Sequence, residues 1–397
     1  MGGSVCLVTV HGIGFQRAPD DAAGVPGYAD ALHLHLREFL GPDLGDDPDR
    51  ANGGPVYVSS EWNGSPAAGL ARLDQGKPLA QPDKIAHVAL VYSPSEHPGS
   101  YLGESAGVLA RAAATHHQYA NALGILRLIL SDAWAALHEN AQRSEKSNLL
   151  PRRDPRHEGL FARVLHHRDR TPTDDAASTP FGALGILRAL EDDIATYVAR
   201  NELRERVRGF VQDVLLALLD RVNDVGAIVV NAHSQGTVLC WDVLCRLPFS
   251  SWMRDHDARA ERVPRFVTAG SPIRKYVDLF AWGNQVGELA AVLPPGTMAW
   301  SNFCDLHDPV ADPLNPPETW RPGQPWTQPA KPDAGLLLAR DFEDGSLHHV
   351  AIADSEVNNI EHSSGGGLQA HDYWNNTREF VHELAQLLRN PASPGPV

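Results

Sequence analysis

Two serines lie in runs of small residues of the kind that surround a nucleophilic hydroxyl. Gly103-Glu104-Ser105-Ala106-Gly107 is a complete G-x-S-x-G. Asn231-Ala232-His233-Ser234-Gln235-Gly236-Thr237 departs from that pattern at one place, where Ala232 stands for the first glycine. A serine hydroxyl is a weak nucleophile. It needs a base, a group that orients the base, and amide donors for the oxyanion that forms on attack. One arrangement that supplies these puts the serine on a sharp turn from a buried strand into a helix, with small neighbours that let the turn close.

That context separates the two serines. The apolar run Ala227-Ile228-Val229-Val230-Asn231 reads as a buried strand, and a helix is expected from Gln235 to Leu247, so Ser234 sits between them. Ser105 has no abutting strand: the strand expected over Ile85 to Tyr92 is followed by Pro94, Pro98 and Gly99. Gly103 to Gly107 instead opens an Ala-rich helical stretch. Ser234 is the candidate nucleophile, Ser105 the rival, and a purely structural S-x-G turn the plain alternative.

His11-Gly12-Ile13-Gly14 follows the first strand, Val5 to Val10, and precedes a helix whose apolar face carries Tyr28, Leu32, Leu36, Phe39 and Leu40. Its glycines let backbone approach a bound acyl group. The expected oxyanion donors are the backbone N–H groups of Ile13 and Gln235. The alternative is an ordinary Gly-rich strand–helix loop.

Strands are further expected over Val56 to Trp62, Phe266 to Gly270 and Met298 to Phe303. Helical periodicity runs from Leu184 to Val222, and Tyr373 to Leu388 reads as a closing helix. Leu336 to Arg340 and Leu347 to Ile352 flank Asp344-Gly345, a hairpin signal. Strands alternating with helices imply an α/β fold, a mostly parallel sheet with helices on both faces. Residues 94–180 interrupt the alternation and read as a helical insertion. The chain thus divides into a first core part (1–93), the insertion (94–180), the rest of the core (181–390) and a disordered tail (391–397).

The 397 residues suffice for a large core, and the net charge of -15 disfavours a nucleic-acid partner. Residues 143–170 reverse the sign, with eight Lys/Arg against four Asp/Glu. Within them, Arg152 to Arg170 reads as a solvated face, with contact to an anionic headgroup or an acyl carrier as the other reading. The four cysteines form no C-x-x-C pair, no signal peptide is expected and no apolar run reaches membrane length, which fits the expectation of a cytoplasmic protein and leaves peripheral membrane contact open. Paired histidines occur, but no H-E-x-x-H, so neither a metal nor another cofactor is expected.

VTVHGIG followed by IVVNAHSQGT resembles the α/β-hydrolase superfamily in its lipase/esterase branch, over Val5 to Leu40 and Val225 to about His371. The oxyanion loop here follows the very first strand, so the family's leading antiparallel strands have no counterpart, and Ala232 is a second departure. The resemblance implies the chain order serine, acid, histidine, and a cap or lid between sheet strands. It points to an acid after the strand ending near Phe303, among Asp305, Asp308 and Asp312. Similar enzymes carry N-x-x-D-x-x-D-x-V, and Asn302 to Val310 reads NFCDLHDPV, which favours Asp308 over Asp305. The base is expected shortly before the last helix. His371 is preferred, His362 is the alternative, and the adjacent pair His348 and His349 is set aside because neighbours in a strand point to opposite faces. The implied activity is hydrolysis of a small-molecule or lipid carboxylic ester through an acyl group on Ser234. An acyltransferase or thioesterase using the same residues, and a non-catalytic hydrolase-like binding module, are the alternatives.

Overall fold

In the computed structural model, the described residues are 4–12, 18–22, 24–60, 69–74, 76–92, 197, 201–245, 262–274, 276, 298–308, 310–315, 338–340, 347–349, 352–363 and 369–391. Ser105, Ile13, Gly14, the whole 94–180 segment and the tail from 392 lie outside them.

The sheet has seven strands, all parallel: β1 (Ser4–Val10), β2 (Val56–Ser59), β3 (Ala86–Val91), β4 (Val225–His233), β5 (Arg265–Ala269), β6 (Ala299–Cys304) and β9 (Ile352–Glu356). Their spatial order is β2-β3-β1-β4-β5-β6-β9. A separate antiparallel pair joins β7 (Leu338–Arg340) to β8 (Leu347–His349). The expected hairpin is therefore seen as this antiparallel pair over the described residues. Ile352 does not end it: it opens β9, a strand that pairs with β6 and was not expected.

Buried side chains alternate along the strands because successive residues face opposite sides of the sheet. Cys6, Val8 and Val10 of β1, with Ile228, Val230 and Ala232 of β4, pack under α2 (Asn201–Asp220) and α3 (Gln235–Cys245). Leu7, Val229, Val267, Ala269 and Phe303 face the other way, against α1 (Asp30–Leu40) and α5 (His382–Arg389). Full burial of β1 and β3 on both faces explains their near-continuous apolar sequence. The last helix starts later than its periodicity implies. Asn376 caps a π turn over Thr377–Val381, accepting from Glu379 N–H at 3.0 Å, and α5 follows after α4 (Asn359–His362) earlier in the chain.

The chain moves from β1 towards β3 and β2, then returns to lay β4 on the other side of β1. Adjacent strands thus send their following helices to opposite faces, which leaves a crevice at their carboxyl ends. Cys6, Cys240 and Cys304 are buried thiols, and burial pushes the Cys6 thiol up to about 12. No helix among the described residues is long and apolar enough to cross a membrane.

A polar chain crosses the apolar layer beneath α1. Thr9 Oγ1 bonds His87 Nε2 at 2.8 Å, and His87 Nδ1 meets His33 Nδ1 at 3.1 Å. Two ring nitrogens bond only if one carries the hydrogen and the other the lone pair, so at least one of the two imidazoles is neutral. Burial, followed by the Arg37 charge, lowers the His33 pKa to about 4, and burial also holds His87 well below its ordinary value. The unfolded chain takes up protons on these rings below about pH 6.5, whereas the fold resists until about pH 4. Stability is therefore expected to fall as pH drops through that window, by roughly 3 kcal/mol for His33. Urea unfolding between pH 7 and 4.5 checks this: His33→Asn should flatten the profile, and an unchanged slope would count against the account.

Candidate active site

The carboxyl edge of the sheet gathers loops from β1, β4, β5, β6 and the segment after β9. Register brings the first two together: Val10 lies opposite Ala232, so Gly12 and Ser234 emerge side by side. A Cβ on Gly12 would lie 2.3 Å from Ser234 Cβ. A Cβ on Gly236 would lie 2.3 Å from the His11 carbonyl oxygen. Both positions therefore need glycine for space alone.

Ser234 is buried and has φ 54°, in the left-handed region that a residue with a side chain adopts at a cost of about 1–3 kcal/mol. Surrounding bonds hold it there. Its N–H donates to Ala269 O at 2.9 Å, and its carbonyl accepts from Thr237 N–H at 2.9 Å and Thr237 Oγ1 at 2.7 Å. The turn closes with Ala232 in place of glycine, because its methyl points into the fully buried layer under α3. Gln235 opens α3, whose first N–H groups have no acceptor within the helix. The Gln235 side-chain oxygen accepts from Tyr276 OH at 2.8 Å.

His11 is a fixed part of the loop, not a base. Its Nδ1–H donates to the Gly12 carbonyl at 2.5 Å, its ring stacks on Tyr92 at 4.1 Å, and Tyr92 OH donates to the His11 carbonyl at 2.8 Å. Burial lowers its pKa to about 3, so it is neutral.

Asp308 and His371 meet: His371 Nδ1 donates to Asp308 Oδ2 at 2.8 Å, which leaves Nε2 as the nitrogen turned to other partners. Asp308 is buried, and its other oxygen accepts from Val310 N–H at 2.9 Å. Burial pushes the carboxyl up, but the His371 ring and these donors outweigh it, so the pKa is lowered and the group is ionised. Asp305 has a different task. Its oxygens accept from His307 N–H at 2.7 Å and Asn359 N–H at 2.6 Å, which ties the β6 loop to α4. His362 lies 3.6 Å from Glu379 and belongs to that structural cluster. No hydrogen bond joins Ser234 Oγ to His371 among the described contacts. The two elements are tied through their neighbours: His233 Nε2 bonds the His371 carbonyl at 2.9 Å.

Three contributors carry no motif. Tyr373 accepts from Asp305 N–H at 2.9 Å and donates to Asp308 Oδ2 at 2.9 Å. Gly270 has φ 63°, and a Cβ there would lie 2.7 Å from His371 Cε1. His233 has its ring 4.6 Å from that of His371. Adjacency to Ser234 and a two-residue offset from His371 are the only sequence signals for His233 and Tyr373. Among the described residues no group of three or more His, Cys, Asp or Glu is placed to hold a metal ion.

Comparisons of the chain with protein-family models, curated proteins and solved structures find no match.

Two substitutions probe the site. Gly270→Ala adds left-handed strain to a clash with the His371 ring, and is expected to cost about 1–3 kcal/mol. Thermal unfolding reads the cost, and loss of the downfield Nδ1–H proton signal in NMR reads the displaced ring. Tyr373→Phe removes one donor from Asp308 and one acceptor from Asp305, with an expected loss of about 1–3 kcal/mol. It should also raise the Asp308 carboxyl towards its ordinary range, which 13C NMR of the carboxyl would follow; an unmoved titration would contradict the assigned bond.

Proposed function

We propose that this chain is a serine hydrolase of the α/β-hydrolase type that cleaves carboxylic esters. The observation that carries the proposal is Ser234 in a left-handed strand-to-helix turn, pressed against Gly12, at the same sheet edge as a buried Asp308 bonded to His371. A strained backbone is a cost that a merely structural turn has no reason to bear.

In this reading, Ser234 Oγ attacks the ester carbonyl while His371 Nε2 takes its proton. Asp308 holds the Nδ1–H tautomer and balances the imidazolium that forms. The N–H groups of Ile13 and Gln235 bind the oxyanion. Collapse expels the alcohol, which receives the proton from His371, and leaves an acyl group on Ser234. Water then attacks with His371 again as base, and the carboxylic acid departs. The 94–180 segment is assigned the covering role. β3 runs parallel to β1 and so delivers the chain into that segment at the edge where Ser234 lies.

A fluorophosphonate probe tests the reading. The folded protein is expected to be labelled, labelling to vanish in Ser234→Ala and to persist in Ser105→Ala. Turnover of a p-nitrophenyl ester should drop at least about 10³-fold in Ser234→Ala. Absence of both labelling and turnover in pure, folded wild-type protein would overturn the proposal.

A further inference from the structure

The mechanism above asks a serine and a histidine from distant parts of the chain to meet within hydrogen-bond reach, and tolerates little error. Ser234 is set by β4 and α3. His371 lies 137 positions later, in the short turn Gln369–His371. Asp308 fixes the ring's tilt through Nδ1 but leaves the backbone of that turn to be held by something else.

We infer that His233 is a positioning residue: its Nε2–H grips the His371 carbonyl and thereby sets the distance between nucleophile and base. The inference rests on the proposed function for the chemistry, but its geometry stands alone. A carbonyl oxygen only accepts, so the 2.9 Å contact requires the hydrogen on His233 Nε2. His233 is the residue directly before Ser234 and closes β4, pairing with Ala269. One covalent step therefore separates the grip from the nucleophile. The rest of the ring is enclosed. His371 lies 4.6 Å away centre to centre, Trp374 5.1 Å and Tyr373 5.8 Å, so the ring can swing little.

The charges around it favour the same role. The titratable groups facing His233 are His371, Asp308, His11 and the Tyr373 phenol. In the enclosed site His233 remains neutral, so His371 can accept a proton without a second cation beside it. A protonated His233 would oppose that step at every turnover. Gly270 packs beneath His371, where a Cβ would lie 2.9 Å from Nδ1. The base is thus bounded below by Gly270, on the ring by Asp308, and along its backbone by His233.

Three variants separate a grip from simple packing. His233→Phe keeps an aromatic ring and loses the donor. His233→Gln keeps an N–H donor of similar reach. His233→Ala loses both. Each is compared with wild type in p-nitrophenyl ester turnover across pH, and in the NMR titration of the His371 imidazole, with circular dichroism and thermal unfolding confirming the fold. The expected result is a fall in kcat of about 10- to 100-fold for His233→Phe with KM little changed, a shifted His371 titration, and substantial recovery of both in His233→Gln. Wild-type kcat and an unmoved His371 titration in folded His233→Phe would overturn the inference, as would Gln recovering no more than Phe. Should wild type prove inactive, the proposed function fails, while the NMR titration of the three variants still decides for or against the grip. Should none of the three variants fold, an unmoved His371 titration in Trp374→Phe combined with intact 15N coupling of His233 Nε2–H to the His371 carbonyl supports it, and absence of that coupling in wild type overturns it.

Discussion

The close approach of Gly12 to Ser234 constrains the rest of this fold. It follows from the parallel pairing of β1 with β4, which places Val10 opposite Ala232 and leaves the next residues of each strand facing one another. There is no room between them for a methyl group, nor between Gly236 and the His11 carbonyl. The chain order supports this contact from a distance. Because β1 lies at the point where the strand order reverses, α1 and α3 leave on opposite faces and neither covers the carboxyl edge of the sheet. The two apolar layers, one under α2 and α3 and one under α1 and α5, clamp β1 and β4 from both sides and keep the turn strained.

Charge at that edge is rationed with equal strictness. Asp308 is buried yet ionised, because the His371 ring, Val310 N–H and Tyr373 OH all serve the carboxylate. The histidines around it are treated the opposite way: burial lowers His11 and His233 to about 3. In a medium of low dielectric a fixed negative charge acts strongly on the ring that bonds it. His371 is the ring bonded directly to that charge, and the neighbouring neutral rings do not compete with it.

Much of the scaffold was legible because it depends on short-range pattern. Continuous apolar runs marked β1, β3 and β4, and 3.6-residue periodicity marked α1 and the helix ending at Asp220. The strand–serine–helix order at Ser234 was legible as well, while Ser105, with the fuller motif, lies outside the described residues. β9 was not legible. Ile352-Ala353-Asp354-Ser355-Glu356 is too polar to announce a buried strand. It joins the sheet because Asp354 accepts from Asn302 and from Leu314 N–H, bonds that exist only once β6 lies alongside. The start of the last helix was misjudged for a related reason. Tyr373 fits the apolar stripe, but the fold draws it towards Asp308 and Asp305, and Asn376 caps the helical turn that follows.

The amino-acid sequence alone determined the α/β class, the strand-to-helix turn at Ser234, the glycines beside it and a short list of acids and histidines downstream. Each of these is written in residues near one another, where periodicity and steric size act directly. Only the tertiary structure decided what the members of that list do. Asp305 and Asp308 are the same chemical group three positions apart. One faces the amides of His307 and Asn359, and the other faces His371 and Tyr373. The same holds for His233, an ordinary strand residue until the fold brings the His371 carbonyl within 2.9 Å of its ring nitrogen. Hydrogen-bond partners are set by distance in space. Between residues 60 to 140 positions apart, that distance is fixed by the order and register of the strands, which no local run of residues encodes.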